Sequence, residues 1–70
     1  MDIGRRIREL REERGLSQDE LARRLGVHPQ SLWRYEHGER NLSASKIKEV
    51  ATALNVEPGE LFENPLAKAR

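Results

Sequence analysis

The stretch VHPQSLWRYEHGERN, residues 27–41, sets proline, glutamine, tryptophan, arginine and histidine at helical intervals. With Pro29 at the first helical position, the 3.6-residue period turns Leu32, Tyr35 and Glu36 inward. It leaves Pro29, Gln30, Trp33, Arg34 and His37 on one outward strip. Arginine can pair in bidentate fashion with guanine O6 and N7, and glutamine with adenine N6 and N7. An indole offers apolar contact to a thymine methyl or a sugar. Gln30, Trp33 and Arg34 are therefore candidates for reading base edges in a DNA major groove. Two readings of Trp33 stand open at this level: groove contact, or burial in the core or a dimer contact. His37 falls in the last turn, where it suits either a phosphate or the negative end of the helix dipole.

Phosphates call for other donors. A helix beginning near Gln18 presents unpaired backbone amides, to which the Gln18 side chain adds a further amide. Solvent exposure is its plain alternative. Arg40 and Asn41, just past the strip, could hold the backbone on the other side, although Arg40 could equally pair with Glu39 or stay solvated. Arg11 lies beside Leu10 near an inward edge, and Glu36 beside Tyr35. A partly buried Arg11–Glu36 ion pair would tie two helices together, unless both are solvated.

These residues need a frame of short helices. Ile3, Ile7 and Leu10 line one helical face, which Gly15 ends. Ser17 and Glu20 make a capping box, and Leu16 and Leu21 have the spacing of a hydrophobic staple, so a second helix runs from about 18 to 25 with Leu21, Ala22 and Leu25 inward. Val27 and Leu32 repeat the staple around His28, an imperfect cap, and Gly38 ends the third helix. Ser43 caps a fourth, whose buried face is Ile47, Val50, Ala51 and Leu54, and Asn55 takes the left-handed stop. Pro58 opens a fifth short element with Leu61 and Phe62. No segment alternates as a strand would. The expectation is an all-α fold of five short helices, the second and third crossing steeply through a loop of about three residues. Residues 1–63 form the domain and 64–70 a flexible tail.

Composition excludes several classes. Seventy residues make one small domain, and without cysteine there are no disulfides or thiolate sites. His28 and His37 stand apart from any ligand cluster, so no metal or cofactor is expected. No nucleophile–base pair appears, which argues against an enzyme. No apolar run suits a membrane span or a signal peptide, and a cytoplasmic protein is the expectation. The net charge of +1 is uninformative, but nine of the ten arginines precede residue 41. That weighting fits either an electrostatic footprint or a solvated surface.

From Ile3 to Phe62 the chain closely resembles the lambda-repressor-like helix-turn-helix domain of the Cro/C1 type, the XRE family. The resemblance rests on IRELREERGLSQDELARRLGV, SLWRYEHGERNLS, KIKEVATALNV and ELF. It implies a compact five-helix domain in which Gln18 is the phosphate-binding glutamine and Arg11 with Glu36 the internal salt bridge. Gln30, Trp33 and Arg34 would occupy the base-reading positions, with Pro29 and Ser31 nearby. Ser31, His37, Arg40 and Asn41 are the candidate contacts to the DNA backbone. The chain departs from the pattern at Trp33, where a small or polar residue is common. It departs again at His28, in place of a serine or threonine cap, and at Ala44, where some relatives are basic.

Such domains generally bind DNA as symmetric dimers. Val56, Leu61, Phe62 and Leu66 are the candidate dimer surface, with closure of the monomer core as the alternative for Leu61 and Phe62. The leading function is a regulator, a repressor or an activator, that binds a palindromic operator as a homodimer. One alternative is an antitoxin or restriction-system controller protein that autoregulates its operon, with a toxin or other protein as partner. Another is a protein-interaction or coactivator module that keeps the fold without reading sequence.

Overall fold

Helix signals recur every ten to fifteen residues along the chain, and each has a structural counterpart in the computed structural model, which describes residues 3–62. Four α-helices follow one another: α1 Ile3–Glu13, α2 Gln18–Leu25, α3 Pro29–Glu36 and α4 Ala44–Leu54. The fifth element is not an α-helix but a four-residue 3-10 turn, Pro58–Leu61. It is closed by the Phe62 amide donating to the Gly59 carbonyl at 3.1 Å. Four residues with Pro58 at the start and Gly59 inside are too few to propagate i→i−4 bonding.

The ends are set by local chemistry. At α2 the Glu20 amide donates to Ser17 Oγ at 3.0 Å and the Ser17 amide donates to Glu20 Oε1 at 2.9 Å. This closes the capping box and satisfies two otherwise orphaned amides. Gly26 stops the helix at φ +71°. His28 does cap α3: its Nδ1 accepts from the Gln30 amide at 3.1 Å. Ser43 Oγ accepts from the Lys46 amide at the start of α4, and Asn55 ends that helix in the left-handed region at φ +60°.

Each helix sends an apolar face to one core. Ile7 and Leu10 come from α1, Leu21 and Ala22 from α2, Leu32 from α3, Val50, Ala51 and Leu54 from α4, and Leu61 from the turn. Burial of each large side chain contributes about 1.5–3 kcal/mol. Tyr35, expected inward, is only half-buried, and the Arg40 guanidinium lies 5.8 Å from its ring centroid.

Glycine at position 4 sets the approach of α1 to α3. A Cβ built there would collide with the Tyr35 carbonyl oxygen and lie 2.7 Å from that of Glu36. The end of α3 is therefore seated against bare backbone of α1.

Candidate nucleic-acid interface

The interface is organised around a buried carboxylate. Glu36, 5% exposed, receives Arg11 Nε at 2.7 Å on one oxygen. Its other oxygen receives Arg11 Nη2 at 3.3 Å and Gln18 Nε2 at 3.0 Å. Arg11 Nη1 donates onward to the Leu16 carbonyl at 2.8 Å. One network thus joins α1, the loop after it, the first turn of α2 and the last turn of α3. Among the described residues no buried polar side-chain atom lacks a partner. Burial of both charges is costly unless their hydrogen bonds are filled, and here they are.

The Gln18 side chain is consequently not simply solvent-exposed. One amide hydrogen is held by Glu36, leaving the other and the carbonyl oxygen available. Its backbone lies in the first turn of α2, beside Asp19 and Glu20, whose negative charges favour the helix N-terminus. Hydrogen bonds from the Ser17 backbone and side chain hold the Glu20 carboxyl below the usual carboxylate range.

On α3, Gln30, Trp33 and Arg34 are all exposed, and Ser31 is half-buried. Trp33 retains 40% of its surface and is not a core residue of the monomer. With Gln18, Pro29 and Gln30 it lines a shallow cleft of about 370 Å³ between the start of α2 and α3. Its ring stacks on that of His37, centroids 3.8 Å apart and planes 18° from parallel. His37 Nδ1 lies 2.8 Å from the Trp33 carbonyl oxygen. Arg40 and Asn41 are exposed beyond the helix, Arg40 over the Tyr35 ring rather than paired with Glu39.

Sequence reasoning missed three of these features. The Trp33–His37 stack had a signal, two aromatic rings at i and i+4. The Gln18–Glu36 bond and the glycine seat at position 4 had none, because both depend on how α1, α2 and α3 cross.

The four residues considered for a dimer contact separate sharply. Leu61 is fully buried and closes the monomer core, so it is removed from that surface. Val56 is half-buried against the core, and Phe62 keeps 50% of its surface exposed. Leu66 lies outside the described residues, as does the expected tail. Among the described residues there is no cluster of metal-ligating side chains and no helix long and apolar enough to cross a membrane.

Comparison with known proteins agrees with this geometry. The family model described as Helix-turn-helix matches residues 7–61. The chain is 38% identical over 68 residues to y4wC of Sinorhizobium fredii, an HTH-type transcriptional regulator, covering 97% of this chain and 48% of that one. It is 43% identical over 66 residues to a transcriptional regulator in the ATPase CF(0) region of Rhodospirillum rubrum, covering 94% and 60%. The chain thus spans about half the length of these curated relatives.

Among solved structures, the restriction-modification controller protein C.AhdI of Aeromonas hydrophila superposes with TM-score 0.84 at 46% identity, covering 87% of this chain and 92% of that one. SinR of Bacillus subtilis, the master regulator for biofilm formation, solved in complex with DNA, superposes with TM-score 0.80 at 34% identity over 87% and 98%. The first two relatives are transcriptional regulators, C.AhdI is a controller protein and SinR a master regulator. With its α2–turn–α3 unit and this extent of similarity, the chain belongs to the helix-turn-helix family of the XRE, or Cro/C1, type, a family of DNA-binding transcriptional regulators.

Proposed function

We propose that the protein binds a palindromic operator as a homodimer in the cytoplasm and represses transcription, with α3 in the major groove. The observation that carries this reading is the exposed strip of Gln30, Trp33 and Arg34, held at a fixed distance from the start of α2 by the Arg11–Glu36–Gln18 network. Gln30 and Arg34 supply bidentate partners for adenine and guanine, and Trp33 an apolar surface. The first turn of α2 with Gln18 grips one strand, while Ser31, Arg40 and Asn41 face the backbone flanking the reading strip. One eight-residue helix spans few base pairs, so two copies reading half-sites a turn apart supply the specificity. The exposed Phe62, with Val56, is the apolar surface proposed to join them.

A second reading is a restriction-modification controller, favoured by 46% identity to C.AhdI over nearly all of that chain. It keeps the same DNA chemistry and differs in the genes controlled. Selection from a randomised duplex pool, followed by affinity against salt, tests the shared core. Enrichment of an inverted repeat with a steep negative salt slope supports it. Weak, uniform binding with nothing enriched refutes it and favours a protein partner for the Trp33 face.

A further inference from the structure

His37 bonds the Trp33 carbonyl twice, through its backbone amide at 3.0 Å and its ring Nδ1 at 2.8 Å. A carbonyl oxygen only accepts, so Nδ1 carries the proton and the imidazole cannot swing away without losing that bond. In this position it covers the indole in a near-parallel stack at 3.8 Å. Exposed side chains on a helix ordinarily exchange between rotamers. These two restrain each other while Trp33, the one tryptophan of the chain, still borders the cleft with Gln18, Pro29 and Gln30.

We infer that the Trp33 indole, held rigid by the stacked His37 ring, is the apolar surface that reads a thymine C5-methyl in the major groove, with His37 the positioning residue and not a phosphate ligand. This rests on the reading of α3 given above. An indole has one donor, Nε1–H, and no acceptor, so most of what it presents is apolar. The apolar group that base pairs display in the major groove is the thymine methyl. A pre-set indole meets it without first being ordered, which is what the stack supplies.

The test uses the duplex enriched by the wild-type protein, with each thymine replaced in turn by deoxyuridine, which removes only the methyl. At one position per half-site the wild type should lose roughly fourfold in affinity, the factor equivalent to ~0.8 kcal/mol for one buried methyl. That penalty should vanish in Trp33→Ala and in His37→Ala. It should persist in His37→Phe, which stacks but cannot donate a hydrogen bond. In the free protein, anisotropy decay of the lone tryptophan should show a restrained indole in wild type and His37→Phe and fast local motion in His37→Ala. Both positions are exposed, and far-UV circular dichroism checks that the variants keep their helices.

Three results would overturn the inference. One is a full methyl penalty retained in His37→Ala with binding weakened equally for every sequence and the salt slope reduced by about one, the mark of a phosphate ligand. The second is fast indole motion in the wild type. The third is a wild type that prefers its duplex but responds to no thymine methyl. Absence of any sequence preference in the wild type would instead strike the DNA-reading proposal itself, before a variant is made.

Discussion

The amide of Gln18 and the carboxylate of Glu36, one from each arm of the helix-turn-helix, meet at 3.0 Å. The same carboxylate is held by Arg11 from α1, so the first turn of α2 and the end of α3 are fixed to a common anchor. Glu36→Ala removes that anchor and strands a guanidinium whose side chain is only 10% exposed. Breaking such a pair costs about 3–5 kcal/mol. Urea unfolding should show the loss as a lower midpoint, and Arg11→Met combined with Glu36→Leu should recover most of it. An unchanged midpoint in Glu36→Ala would show that the pair carries no stability.

Gly4→Ala should be destabilising despite its better helix propensity. The new methyl collides with the carbonyls of Tyr35 and Glu36, backbone atoms that cannot rotate aside. Overpacking of this kind costs about 1–3 kcal/mol. Gly59→Ala is the control: its Cβ meets nothing within 4 Å, and the change should stay within about 0.5 kcal/mol. Thermal melts of the two variants side by side make the comparison.

The α2 cap gives stability an acid limb. Glu20 titrates below its usual value because the Ser17 backbone and hydroxyl bond its charged form. Its contribution is therefore present above the unfolded carboxylate value and is lost as pH falls through the lower folded one. Glu20→Gln should flatten the fall in melting temperature as pH drops below the ordinary carboxylate value. An identical acid limb in both proteins would assign it to other carboxylates.

Base and phosphate contacts should separate in binding data. Arg34→Ala should relax preference at one guanine position, by about 1–3 kcal/mol of discrimination. Arg40→Ala should weaken binding evenly across sequences and reduce the salt slope by about one. Competition with single-base operator variants at two salt concentrations distinguishes them, and a reversal of the two patterns would exchange the roles assigned here.

Most of the fold was legible because its signals are local. Ser17 with Glu20, Gly26, Ser43 and Asn55 are each read from a few neighbouring residues: Ser17 and Ser43 start helices, and Gly26 and Asn55 end them. The four-residue 3-10 turn was not separable from a short helix, since one turn of either has the same apolar spacing. The outward strip on α3 was also readable from a single helical period at Gln30, Trp33, Arg34 and His37, while Pro29, expected outward, is half-buried. What crosses between helices was not: Gly4 looks like any helical glycine until the Tyr35 carbonyl is set against it. Leu61 and Phe62 are adjacent and both apolar, yet one is buried and the other half exposed, a division that depends on where the turn meets α4.

The most direct test of groove reading by α3 is a titration of the selected duplex into 15N-labelled protein. The single indole N–H of Trp33, the side-chain amides of Gln30 and Gln18, and the backbone amides of the first turn of α2 should shift together. The solvent face of α4 should stay unperturbed. A shift map centred on α4 and the Pro58–Leu61 turn, with the Trp33 indole unmoved, would contradict groove reading by α3.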